Sequence, residues 1–283
     1  MKILNVQRQP VNFEEFIKRS AVPSDCSRFI NESCIIKENG EIKIIYKELD
    51  TPCKDVVEAV KSMKYSTGQR SRGLTSTSRI IGYRPRLTIR ADYCSSTSTA
   101  KEYPDQHARI CDYIENIEKE YKELNPELYE KHKEIVEGKT QKEWRIKGGI
   151  FTSGIINKDS ALKYHFDTGN FTDVWSAMTV FKSGIEGGYL CVPEYDMCFE
   201  LKDNSIFLFD GQGLLHGVTP IKKSSPLSYR FSIVFYSLKQ IWKCLPITDE
   251  LARVKKMKTK REVTRHNMPA EHRADLIRRF GKQ

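Results

Sequence analysis

The chain has 283 residues, a formal net charge of +10, 39% hydrophobic and 30% charged residues. That supplies ample apolar material for a packed core, yet no apolar run approaches the roughly 20 residues a membrane helix needs. Polar residues from Asn5 onward interrupt the start too early for a signal peptide. These features predict an intracellular protein, cytoplasmic in a bacterial or phage setting and nuclear in a eukaryotic one.

In chain order, residues 1–62 read as a mixed lead-in. EIKIIYKEL (41–49) predicts a strand, and CKDVVEAVKSM (53–63) has helical apolar spacing at Val56, Val57, Val60 and Met63. Residues 65–100 are rich in Ser, Thr, Gly and Arg and read as a long loop or arm. Between Lys64 and Arg90 there are seven Lys/Arg and no Asp or Glu.

Two support helices follow, completing a 63–147 segment that packs on the core. Pro104 stands near the start of the first, whose stripe is Ile110, Tyr113, Ile114, Ile117 and Tyr121; Asn125-Pro126 opens the second and Gly138 closes it. Residues 148–245 switch to eight short β segments, at 149–157, 162–167, 175–183, 188–192, 197–201, 205–210, 214–220 and 228–237. The expected architecture is α+β, mainly β: a double-stranded β-helix (jelly roll) with flanking buttress helices. Residues 246–283 form a basic tail or helix. From Leu251 to Gln283 there are eleven Lys/Arg against three acids, which suits a polyanion, with a merely solvated end as the alternative.

The cysteines, Cys26, Cys34, Cys53, Cys94, Cys111, Cys191, Cys198 and Cys244, are scattered with no Cys-x-x-Cys pair. They read as free thiols rather than a zinc ribbon or a disulfide framework.

The chemical signal begins at His165-Phe166-Asp167. Side chains alternate along a strand, so His165 and Asp167 face the same way. His216 follows 49 residues after Asp167 on another strand. Two imidazoles and one carboxylate form the facial triad that leaves positions open on Fe(II) for cosubstrate and oxygen. Arg230 lies 14 residues after His216, and Ser232 shares its face. Phe231, Ile233, Val234 and Phe235 make this strand apolar on both faces, hence interior. An interior arginine needs an anion, and its fork suits the distal carboxylate of 2-oxoglutarate.

HFDTGN (165–170), GGYLCVPE (187–194), LLHGVTP (214–220) and YRFSIVFYS (229–237) resemble the core of the TET/J-binding-protein family of nucleic-acid base dioxygenases, in its compact microbial or viral form. GYRPRLTIRADYC (82–94) and FTSGIINKDSALKYHFD (151–167) extend the likeness over about 80–240. The resemblance implies that His165, Asp167 and His216 hold Fe(II), that Arg230 and Ser232 bind 2-oxoglutarate, and that O2 is consumed. It implies that Asn170 lies beside cosubstrate and target base, an Asx-turn being the structural alternative.

The implied reaction hydroxylates the methyl of 5-methylcytosine in DNA, with further oxidation or a thymine substrate, in DNA or RNA, as alternatives. A base inside a duplex must be flipped out while the enzyme grips phosphates. Arg84 and Arg86 are the expected phosphate contacts, with Tyr83, Tyr93 and Phe171 as candidate stacking groups or plain core aromatics. The expected partner is therefore DNA, with no membrane and no obligate protein partner. A protein or small-molecule hydroxylase on the same fold, and a catalytically idle nucleic-acid binder, are the readings from other classes.

Overall fold

A computed structural model describes residues 1–17, 19–69, 75–86 and 93–272. Arg70, Arg72 and Arg90 of the basic arm, and the tail beyond 272, lie outside the described residues.

The lead-in holds β1 (Lys2–Asn5), α1 (Phe13–Phe16), β2 (Arg28–Ile30), β3 (Cys34–Glu38), β4 (Glu41–Glu48) and α2 (Lys54–Ser62). β5 (Ser66–Gln69), β6 (Thr75–Arg84), β7 (Ser95–Ser96), α3 (Ser98–Glu102), α4 (Pro104–Leu124) and α5 (Pro126–Lys139) follow. The β-rich region contains β8 (Ser153–Lys158), β9 (Leu162–His165), β10 (Ser176–Ser183), β11 (Ile185–Gly187), β12 (Leu190–Val192), β13 (Met197–Phe199), β14 (Ser205–Phe209), β15 (His216–Val218), β16 (Ile221–Lys223) and β17 (Tyr229–Tyr236). A final helix, α6, spans Ile247–His266.

Among the described residues, the larger sheet runs β1-β3-β4-β14-β10-β17-β8-β6-β5, with β7 paired to β6, and the smaller runs β2-β13-β12-β15-β9. The two sheets face each other as a jelly roll. Period-two alternation explains why central strands are apolar throughout. On β14, Ile206 and Leu208 enter the core under the helices, whereas Phe207 and Phe209 enter the core between the sheets. The same split divides Phe181 from Val180 on β10.

The helix predictions translate directly. All five residues of the Ile110–Tyr121 stripe are buried on α4, and Asn125 caps α5 by accepting from the Leu128 amide. Truncating an interior side chain of this kind to Ala costs about 2–5 kcal/mol, so the buttress holds the large sheet rigid.

Three expectations need correction. The segment read as a long loop or arm contains β5, β6 and β7, and β6 pairs β8 from Ser78↔Asn157 to Gly82↔Ser153. Small polar side chains obscured that strand because their apolar partners, Ile80 and Ile81, are few. The lead-in is part of the jelly roll, with β4 on β14 and β2 parallel to β13. The cysteines are not all free: Cys94 and Cys244 are disulfide-bonded across 150 residues, a pairing that scattered spacing cannot disclose.

Candidate metal and cosubstrate site

β9 and β15 are antiparallel neighbours with His216 directly opposite His165. Strand pairing therefore joins residues far apart in sequence, and Asp167 lies two residues beyond the end of β9. One ligand atom from each of His165, Asp167 and His216 lies within 4.8 Å of the others. His165 Nε2 is 3.7 Å and His216 Nε2 4.0 Å from Asp167 Oδ1.

Both imidazoles are oriented by their own strands. His165 Nδ1 donates to the Lys163 carbonyl at 2.8 Å, and His216 Nδ1 to the Leu214 carbonyl at 2.9 Å. A carbonyl only accepts, so Nδ1 carries the proton and Nε2 presents its lone pair to the site. Phe209 packs edge-on against His216 at 5.0 Å.

The carboxylate is fixed too: the Asp167 amide donates to the Gly211 carbonyl at 2.8 Å. A Cβ on Gly211 would meet Asp167 Oδ2 at 2.5 Å, so any larger residue there would have to push the carboxylate aside. The loop bearing His216 is clamped from the N-terminal segment. Buried Glu194 accepts from the Leu215 amide at 2.5 Å and pairs with Arg8, which also donates to the Gly213 carbonyl at 2.8 Å.

The ligand atoms open on a cavity of about 460 Å³ between the sheets, lined by Asn157, Asn170, Met178, Ser232, Val234 and Tyr236 among others. That volume is within the usual range for small-molecule sites. Asn170 is buried, donates to Ser176 Oγ at 3.2 Å, and bridges to Leu238.

Arg230 lies two residues along β17 from Ser232 and is 1% exposed. Its backbone amide donates to Asp159 Oδ1 at 2.7 Å, but its Nη2 has no hydrogen-bond partner. Burial pushes the guanidinium down to about 10, with the Asp159 carboxylate opposing. Lys182 stands directly across on β10, so two cations share one face, with Glu200 3.8 Å from the lysine. Gly188, at φ +67°, lets the chain pass close by, since a Cβ there would meet Arg230 Nε at 2.8 Å. A buried guanidinium with an orphaned donor fits a carboxylate ligand. The donor set of two imidazoles and one carboxylate likewise fits Fe(II).

The expected phosphate contacts, Arg84 and Arg86, have intramolecular partners. Arg84 Nε donates to Ser95 Oγ at 2.8 Å. Arg86 pairs with Glu250, a carboxylate only 2% exposed. Arg79 pairs with Glu102 at 2.9 Å and covers the Tyr103 ring. Tyr83 and Phe171 pack edge-on to Trp144 and against Trp242 at 5.4 and 4.4 Å, as core aromatics; Tyr93 is half-buried.

Sequence reasoning overlooked Gly188, Gly211, Glu194, Asn157 and Tyr236. Their roles depend on approaches between distant segments, although the consecutive glycines at 187 and 188 marked a tight passage.

Residues 86–239, just over half of the chain, match the Tet_JBP model, the oxygenase domain of the 2OGFeDO superfamily. The bifunctional helicase and thymine dioxygenase JBP2 of Leishmania braziliensis is 24% identical over 191 residues, covering 67% of this chain and 17% of that protein. Thymine dioxygenase JBP1 of Trypanosoma brucei brucei is 24% identical over 213 residues, 74% of this chain and 25% of that one. The chain thus spans a quarter or less of these curated relatives. Among solved structures, NgTET1 in complex with 5mC DNA matches with a TM-score of 0.56 at 14% identity, over 80% of this chain and 86% of that chain, a likeness of fold.

Proposed function

The chain belongs to the Tet_JBP family of oxygenase domains, and from that membership we propose that it is an Fe(II)- and 2-oxoglutarate-dependent dioxygenase that hydroxylates the methyl group of a 5-methylpyrimidine in DNA. The observation that carries this reading is the convergence of His165, Asp167 and His216 on one cavity wall. The first substrate reading is 5-methylcytosine, giving 5-hydroxymethylcytosine. Thymine is the second, favoured by the names of the relatives in Leishmania and Trypanosoma.

His165, Asp167 and His216 hold the metal, and Arg230 with Ser232 holds the distal carboxylate of the cosubstrate. Iron with 2-oxoglutarate and O2 supplies the oxidising power to take hydrogen from an unactivated methyl group, chemistry beyond any side-chain acid or base.

The remaining work belongs to the chain. The Nδ1–H bonds to Lys163 and Leu214 fix both imidazoles before anything binds. The apolar wall formed by Met178, Leu190, Phe209, Val218 and Val234 excludes water and accepts a methyl-bearing ring. A base in a duplex reaches this recess only when flipped out of the stack, and Asn170 stands on the lining to meet it.

The test is succinate release with three additives: methylated DNA, its unmethylated counterpart and a peptide mixture. Stimulation by methylated DNA alone is the result expected for 5-methylcytosine, and stimulation by both DNAs the result expected for thymine. Stimulation by peptide, or by none of the three, overturns the proposal.

A further inference from the structure

Helix α6 lies beyond the last residue matched to the family domain, and its chemistry is unlike that of every buttress helix. Between Leu251 and His266 there are seven Lys/Arg against one acid, Glu262. Glu250 is the one buried side chain among the helix's described residues. A helix that is polar all round gains little from packing. Its positive charges repel one another unless something negative lies against them.

The root of α6, in contrast, is held firmly. The Cys94–Cys244 disulfide ends three residues before the helix. The Glu250 carboxylate accepts from Arg86, from the Cys94 amide at 2.9 Å and from the Leu245 amide at 3.0 Å. Trp144 Nε1 donates to the Leu245 carbonyl at 2.7 Å, and the Ile247 amide donates to Glu143. Upstream, Leu238 lines the cavity itself. A solubility tail needs no such anchorage. Glu250, near the helix start, is engaged at the root, which leaves the rest of the helix basic. Lys256 and Lys260 share one face with Arg253 by i, i+3, i+7 spacing, while Lys258 and Arg261 share another.

We propose that α6 is a built-in docking element for the phosphate backbone of duplex DNA, anchored beside the cavity so that it holds the duplex while a base enters the site. The occupant is duplex DNA because regularly spaced phosphates match a rigid row of cations, and such contacts position the nucleic acid without reading its sequence. This rests on the DNA-modifying reading given above, and the experiment separates the two.

The full chain is compared with Lys255→Gln/Lys256→Gln/Lys258→Gln/Lys260→Gln, four exposed positions at which glutamine keeps helix propensity. Fluorescence anisotropy with an unmethylated duplex is measured over a salt series. The log K against log salt slope is expected to flatten by about 0.9 for every phosphate that the variant leaves unneutralised, with affinity at low salt falling on the order of tenfold or more. The quadruple Lys→Arg variant should keep the wild-type slope, and circular dichroism should show equal helicity.

Equal slopes for wild type and the glutamine variant overturn the proposal, as does undetectable binding of duplex by the wild type. Weakened binding to phosphatidylserine vesicles with no change on DNA overturns it too. The enzymatic reading is followed separately by oxidation of a methylated trinucleotide. Oxidation with equal duplex slopes sinks the role of α6 alone; different slopes without oxidation keep α6 and sink the substrate reading.

Discussion

Arg230→Met isolates the cosubstrate contact from the fold. Arg230 is fully buried with an orphaned Nη2, and an unsatisfied buried donor costs about 1–3 kcal/mol. Replacing it by an uncharged, flexible side chain removes that cost from the ligand-free protein. The melting temperature should therefore hold or rise by a few degrees, at about 2–4 °C per kcal/mol for a domain of this size. Binding responds the other way. A desolvated, bidentate charged contact is worth on the order of 2–5 kcal/mol when one partner is removed. At about 1.36 kcal/mol per decade the 2-oxoglutarate requirement should rise by about 30- to 5,000-fold. Thermal-shift titration of the metal-loaded protein with 2-oxoglutarate reads both effects together. A variant that keeps the wild-type dependence on 2-oxoglutarate refutes the assignment, and one that fails to fold refutes the claim that the guanidinium waits for a ligand.

Other outcomes follow from neighbouring contacts. His165→Ala, Asp167→Ala and His216→Ala should each abolish iron-dependent turnover and weaken iron binding by equilibrium dialysis, because two protein ligands hold an open site poorly; normal iron retention removes that residue from the site. Gly211→Ala should weaken iron binding while leaving the core folded, since its Cβ would press on the Asp167 carboxylate; unchanged metal affinity contradicts this. Burial pushes the Glu118 carboxyl up to about 7 from 4.5, so its contribution is fully present below pH 4.5 and is lost as pH rises through 7. Glu118→Gln should flatten that fall, at most about 1.4 kcal/mol per pH unit, and urea melts at pH 5 and 8 would show it; an unaltered difference contradicts the buried-carboxyl argument. Arg86→Ala should destabilise the α6 root by roughly 3–5 kcal/mol, because Glu250 is left buried without its cation; a stability change near zero shows that water replaces the pair.

Much of this was legible because the β-rich region obeys local rules. The eight short segments contain β8, β9, β10, β12, β13, β14, β15 and β17, since apolar runs on interior strands are unbroken. His165 and Asp167 do come together with His216, although Asp167 lies beyond the end of β9, and the all-apolar neighbours of Arg230 marked it as interior. Long-range pairing was not legible. β6 carries Ser, Thr and Arg although β5, β8 and β7 pair along it, so its composition resembled an arm. β16 (Ile221–Lys223) intervenes between His216 and Arg230 and is too short and charged to register. The basic residues Arg84 and Arg86 looked like phosphate contacts because their partners, Ser95 and Glu250, come from elsewhere in the chain.

The central claim is that this cavity oxidises a methyl group on a DNA base. Nucleoside mass spectrometry of 5-methylcytosine-containing DNA, incubated with the protein, Fe(II), ascorbate and 2-oxoglutarate, tests it most directly. The expected result is a gain of one oxygen on 5-methylcytosine or thymine that vanishes with His216→Ala. Unmodified nucleosides alongside normal iron and 2-oxoglutarate binding would contradict it.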